Sequence, residues 1–308
     1  MSEVILKTNN ISKTYGNQKV LDNVSITINK GDIYGFIGEN GAGKTTVIRV
    51  VTGLIKPNSG TYELFGINSN NQKELNIAKS KLSAIVESPS IYGNFTALDN
   101  VCLNQSILGK KDIEKAKELL KLVGLDSVSE NKKAGNFSLG MRQRLGIAMC
   151  LSNNPELLIL DEPLNGLDPA GIVEVRELIL RLNKEKNITF LISSHILTEL
   201  NLVANRYGII SHGKMVKEID KEEIELIIKK HTRIKTTNND KALELIKTSF
   251  PENESKILGD EVIIVGDYNF TDLVNVLAKE SIAIMDISTK NASIEDFYLQ
   301  TLGGDKNE

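Results

Sequence analysis

Nine residues constrain this chain more than any others: Gly38-Glu39-Asn40-Gly41-Ala42-Gly43-Lys44-Thr45-Thr46. They follow a short apolar run, Ile33-Tyr34-Gly35-Phe36-Ile37, and precede an amphipathic stretch, Thr45–Thr52. The pattern G-x-x-x-x-G-K-[ST] between a strand and a helix is a phosphate-binding loop. Its glycines let the backbone curl so that successive N–H groups point inward at anionic oxygens. The helix that follows adds unpaired N–H groups and the positive end of its dipole. Lys44 is placed to reach the β- and γ-phosphates, and Thr45 to offer a hydroxyl to Mg²⁺.

Such a loop needs a parallel sheet behind it. Short apolar runs at 84–86, 157–160 and 188–192 alternate with helical stretches at 113–123, 143–151 and 171–183. That alternation predicts a largely parallel sheet covered by helices. Before it, Val24-Ser25-Ile26-Thr27-Ile28 alternates with period two, the mark of a half-buried antiparallel sheet. Leu157-Leu158-Ile159-Leu160 runs into Asp161-Glu162, which places Asp161 at the carboxyl end of a parallel strand. Asp161 is expected to hold Mg²⁺ through water, and Glu162 to polarise an attacking water. The apolar run 82–86 likewise ends in a carboxylate, Glu87, which at a strand end is either a plain turn residue or a polar group aimed at a ligand. Thr96 and Asp99 have capping-box spacing for the helix after it.

Charge and composition narrow the function. The net charge of −3 over 308 residues, with signs mixed, argues against a nucleic-acid surface. Cys102 and Cys150 have no metal or C-x-x-C spacing and read as reduced structural cysteines of a cytosolic protein. His212 and His231 show no ligand spacing and read as surface residues. No signal-peptide pattern opens the chain, and no apolar run approaches the ~20 residues needed to span a bilayer. Any membrane role is therefore expected to come through a separate partner.

Three further segments carry a family resemblance. Phe137-Ser138-Leu139-Gly140-Met141-Arg142-Gln143-Arg144 resembles the LSGGQxQR signature of ABC-type ATPases. Asn165-Gly166-Leu167-Asp168 resembles that family's D-loop, and Ser194-His195 its switch histidine. Tyr15 stands where an aromatic stacks on adenine. The resemblance covers residues 3 to 215 with the motifs in the family's order. It implies an α/β fold: a mixed sheet with helices, an antiparallel β subdomain and a helical signature subdomain. It also implies ATP and Mg²⁺ as ligands, and two cassettes paired head to tail. In that pairing Ser138 and Gly140 of one copy close over the phosphate loop of the other. Glu162 would be the base, His195 would contact the γ-phosphate, and Asp168 would link the two sites. The pair would be a homodimer or a pseudo-dimer with a relative. Phe137, Leu139 and Met141 depart from the signature pattern, and Leu139 is expected to point away from the phosphate. Arg142, Gln143 and Arg144 fit a solvated helix face equally well.

The chain as a whole resembles ATPase subunits of bacterial exporters of the bacitracin and lantibiotic type. Glutamine usually follows the strand that ends here at Glu87, and its replacement by glutamate marks the lantibiotic-type subunits. In the family this residue contacts Mg²⁺ and begins the segment that receives a permease helix, here 87–95. The expected location is the cytoplasm, peripheral on the inner face of the cell membrane. Two other readings stay open: an importer subunit with a regulatory C-terminal domain, and a soluble non-transport ABC ATPase. A single phosphate loop and a single signature, with only a short segment between Lys44 and Ser138, disfavour the soluble classes.

The cassette is expected to span 1–219, followed by a charged linker helix at 220–231 and a small α+β domain at 232–308. In that domain strand 233–236, helix 241–250, strands 255–258 and 261–265, helix 271–279 and strand 282–288 give a βαββαβ order. That order suggests a ferredoxin-like sandwich. A last helix is expected at 293–302. The domain is expected to stabilise a dimer or regulate it.

Overall fold

The computed structural model describes residues 3–228, 231–290, 297–298 and 301. The chain divides into two compact units, Met1–Lys221 and Glu222–Glu308.

The first unit begins with the antiparallel layer. Strands β1 (Val4–Tyr15), β2 (Gln18–Val24) and β3 (Thr27–Asn29) lead into β4 (Ile33–Ile37) of a second sheet. Helix α1 (Lys44–Val51) follows, then β5 (Ser59–Leu64) and β6 (Ile67–Asn68), which return to β1 and to each other. Helix α2 (Gln72–Lys79) and β7 (Leu82–Ile85) come next. Three helices follow: α3 (Ala97–Ile107), α4 (Ile113–Leu122) and α5 (Leu139–Leu151). The chain then re-enters the second sheet through β8 (Leu157–Asp161), α6 (Pro169–Lys186) and β9 (Thr189–Ser194). A short α7 (Leu197–Asn201), β10 (Arg206–Ser211) and β11 (Lys214–Asp220) complete the unit.

The second sheet has the order β11-β10-β4-β9-β8-β7, and every neighbour pair is parallel except β11 against β10. Its central strands β4, β8 and β9 are buried along their whole length, as continuous apolar runs between covering layers should be. Registers Ile37↔Ser194 and Asp161↔Ser193 bring the carboxyl ends of β4, β9 and β8 side by side. In an open parallel sheet that edge is where ligands bind. The core beneath joins Phe36, Val47, Ile159 and Leu191 to Ile28 and Leu64 of the antiparallel layer. Burying such side chains contributes about 1.5–3 kcal/mol each. Among the described residues no helix is long and apolar enough to cross a membrane.

The second unit holds α8 (Lys221–Ile228), apart from its first residue, then β12 (His231–Thr236), α9 (Asn239–Ser249), β13 (Glu254–Leu258), β14 (Glu261–Val265), α10 (Phe270–Lys279) and β15 (Ile284–Lys290). Its sheet runs β13-β14-β12-β15 with every pair antiparallel, so the element order is βαββαβ. Ile246 of α9 and Leu273 and Leu277 of α10 pack on Ile234, Val262 and Ile264. Of the helix expected at 293–302, all but 297, 298 and 301 lies outside the described residues, as do 229 and 230. The side chain of His231 is outside them too, and His212 is exposed.

Candidate nucleotide site

The loop Gly38–Gly43 links β4 to α1. Glu39, Asn40 and Gly41 are exposed, while Ala42, Gly43 and Lys44 are buried. Gly43 has φ 112°, and a Cβ there would come within 2.7 Å of Leu21, so no other residue fits this turn without displacing β2. Gly213 N–H donates to the Ala42 carbonyl at 2.9 Å and ties the loop to the β10–β11 turn. The first N–H groups of α1 have no intrahelical acceptor.

Lys44 is 5% exposed, and its ammonium donates to the carbonyls of Gly38 at 2.6 Å and Glu39 at 3.3 Å. It also meets Glu162 Oε1 at 3.1 Å. Glu162 has φ 50°, a left-handed conformation that a non-glycine residue adopts only under tertiary constraint. On its other side Glu162 Oε2 lies 2.8 Å from His195 Nδ1. An ionised carboxylate can only accept, so Nδ1 carries the proton in that contact. Lys44, Glu162 and His195, from three separate segments, thus form one cluster at the sheet's carboxyl edge.

Asp161 is buried behind it. Ser193 Oγ donates to Asp161 Oδ1 at 2.5 Å and accepts the Glu162 backbone N–H at 2.9 Å. Sequence reasoning missed Ser193. A buried hydroxyl opposite an aspartate is visible only once the β8–β9 register is known.

The remaining predicted residues divide. Thr45 is half-exposed beside Lys44 on α1, and Thr46 is buried. Tyr15 ends β1, 44% exposed, with Lys13 Nζ 5.4 Å from its ring centre. Glu87 is exposed, has φ 66° and pairs with Arg49 of α1.

Ser138, Gly140 and Asp168 belong to a second cluster. Helix α5 starts at Leu139, four residues before the expected Gln143. Ser138 is its N-cap, accepting from Met141 N–H at 3.2 Å, and Gly140 lies in the first turn. Asp168 caps α6 through Gly171 N–H at 3.1 Å. A Cβ on Gly140 would sit 3.5 Å from Gly171 Cα, so α5 and α6 approach closely at their N-terminal ends. Leu139 is 40% exposed and leans on Gly166.

The solvated-face reading of 142–144 is corrected. Gln143 is buried, and Arg144 is half-buried, with hydrogen bonds to the carbonyls of Val123 at 3.1 Å and Gly124 at 2.8 Å. It also pairs with Glu174 at 3.1 Å. Arg142 donates to the Phe137 carbonyl at 2.6 Å. Of the three, Arg144 ties the signature helix to the end of α4 and to α6.

The segment after Glu87 borders a groove of about 870 Å³ between β7 and helices α3 and α5. Leu54, Leu82, Pro89, Leu108 and Met149 line it, with Lys79 and Lys110 among its charged residues. Nearby, Tyr92 and Phe95 are exposed, their rings tilted against each other with centres 5.6 Å apart.

The donor set fits a magnesium nucleotide. The loop presents N–H groups and one buried ammonium to an anion, and Thr45 and Asp161 are hard oxygen donors of the kind Mg²⁺ takes alongside phosphate. Fold and site together define a phosphate-loop nucleotide-binding cassette whose signature segment stands apart on its own helix.

The comparisons with known proteins give the family. Residues 21–165 match the family model described as ABC transporter. The chain is 42% identical over 303 residues to the bacitracin transport ATP-binding protein BcrA of Bacillus licheniformis, covering 97% of this chain and 98% of that protein. It is 42% identical over 221 residues to the lantibiotic transport ATP-binding protein SrtF of Streptococcus pyogenes, covering 71% and 93% respectively. A dimeric ATP-binding cassette solved in a post-hydrolysis state with ADP and Pi superposes with a TM-score of 0.63 at 27% identity. That superposition covers 70% of this chain and 99% of the solved one. The chain belongs to the ABC transporter ATP-binding proteins.

Proposed function

We propose that this protein is the ATP-binding and ATP-hydrolysing subunit of a bacterial ABC exporter, and that its cargo is an antimicrobial peptide of the bacitracin or lantibiotic kind. The observation that carries the hydrolytic reading is Glu162, a carboxylate held between Lys44 and His195 at the carboxyl edge of the sheet. Thr45 and Asp161, together with Glu87, would hold Mg²⁺, which when bound would supply charge stabilisation for phosphoryl transfer. Lys44 and His195 exchange the Glu162 carboxylate for phosphate oxygens. Glu162 is then free to accept the proton of an attacking water. Tyr15 stacks on the base.

The N-terminal end of α5, with the Ser138 hydroxyl and the Gly140 N–H, is a second anion site. Two copies, or this chain and a relative, pair head to tail so that each nucleotide lies between Lys44 of one and Ser138 of the other. Asp168, capping α6 beside that site, links the two. The groove beside 87–95 receives a helix of a separate permease chain, which places the protein on the cytoplasmic face of the membrane. The second unit stabilises or regulates the pair. The match to BcrA, running over 97% of this chain, includes it.

The test is purification of the chain from bacterial membranes, together with measured tolerance to bacitracin and lantibiotics on expression. Permease chains bound without a substrate-binding protein, with raised tolerance, are expected. Dependence of solute uptake on the chain would favour the importer reading instead.

A further inference from the structure

Six of the eight residues of α1 are buried, and the two that are not are Thr45 and Arg49. They are four apart, so they project from one face with their Cβ atoms roughly 5–6 Å apart. The turn after β7 carries Glu87 onto this same stripe, where its Oε1 pairs with Arg49 Nη2. Thr45 is the residue proposed above to bind Mg²⁺. The carboxylate of Glu87 is therefore held by a guanidinium rooted in the phosphate-loop helix itself, four residues along it from Thr45.

We propose that Arg49 is a positioning residue for Glu87, and that the carboxylate is exchanged between Arg49 and the Mg²⁺ at Thr45. The inference rests on the assignment of Thr45 and Glu87 to Mg²⁺. A glutamine at this position would be neutral and need no counter-charge. A carboxylate beside a triphosphate does need one, and Arg49 supplies it from within the same chain. Arg49 and Mg²⁺ compete for one ligand. Without the cation the segment 87–95 is tied to α1, and with it the tie is released. Arg49 is 38% exposed and Glu87 65% exposed, so the pair biases the equilibrium without locking it. Double-mutant cycles on exposed pairs correspond to roughly two- to five-fold at most.

The experiment is a double-mutant cycle on the full chain, with binding of a fluorescent ATP analogue followed as free Mg²⁺ is varied. Arg49→Gln in the native background is expected to lower the Mg²⁺ midpoint roughly two- to five-fold. In the Glu87→Gln background the same change is expected to leave the midpoint where it was. An equal shift in both backgrounds would mean that Arg49 acts only as a general positive charge, and no shift in either would mean that it does not compete. Either result overturns the proposal. If Arg49→Gln does not fold, the same cycle is read with Arg49→Lys, whose single point charge loses the guanidinium geometry. Absence of any Mg²⁺ dependence in the native chain would instead overturn the Mg²⁺ assignment of Thr45 and Glu87 on which the inference stands.

Discussion

Ser193→Ala removes one oxygen from the centre of the site. The side chain is fully buried, and its hydroxyl serves two groups: it donates to Asp161 Oδ1 at 2.5 Å and accepts the Glu162 N–H at 2.9 Å. Alanine leaves a buried carboxylate oxygen and a backbone N–H without that partner. An orphaned buried group costs about 1–3 kcal/mol, more when charged. The lost volume is one hydroxyl, so the cavity term is small. We expect a total of about 2–4 kcal/mol, which lowers the melting temperature by roughly 5–15 °C at this chain size. The alanine variant should also need several-fold more Mg²⁺ to bind ATP, because Asp161 is no longer held by its neighbour on β9. Thermal and denaturant melts, with ATP binding at varied Mg²⁺, measure both effects. A variant within about 0.5 kcal/mol of the native chain, with an unchanged Mg²⁺ requirement, would show that the Ser193 hydroxyl supports neither group, since that is the range of inconsequential surface changes.

Two further outcomes follow from particular contacts. Thr96 and Asp99 form a reciprocal capping box at the start of α3, so Thr96→Ala is expected to cost about 1 kcal/mol in a denaturant melt. The Thr96 hydroxyl, then its N–H, holds the Asp99 carboxyl below its ordinary 3.8. Its stabilising contribution is therefore complete above pH 3.8 and lost as pH falls through the lowered value, a loss that Asp99→Asn should abolish. Deleting residues after 230 should leave ATP binding intact and change dimerisation or hydrolysis rate. Light scattering and phosphate release check this, and no change in either would remove the regulatory role assigned to the second unit.

The sequence announces the phosphate loop, Asp161-Glu162 and His195 because each is a local pattern at the end of an apolar strand. The Thr96–Asp99 box is legible because its two residues lie three apart at a helix start. What stays hidden depends on pairing between distant segments. Ser193 acquires its role from the β8–β9 register, and Arg49 from a turn that brings Glu87 onto α1. The start of α5 is misread by four residues because Leu139-Gly140-Met141 contains a glycine and too short an apolar pattern to show a helical period. Gln143 and Arg144 look like surface residues by type. The helices around α5 bury the first and half-bury the second, which is a tertiary effect. Strands β10 and β11 pass unread because Tyr207-Gly208-Ile209-Ile210 is too short to separate from a loop before its parallel partner β4 is known.

The central claim is that the carboxylate between Lys44 and His195 drives ATP hydrolysis. The most direct measurement is phosphate release from ATP by the purified chain, native against Glu162→Gln, with ATP binding measured on both. Mg²⁺-dependent hydrolysis is expected of the native chain, with a fall of about 10²–10⁴-fold in the variant and binding retained, as loss of a general base requires. Equal rates in the two proteins, or none in either at saturating ATP, would contradict it.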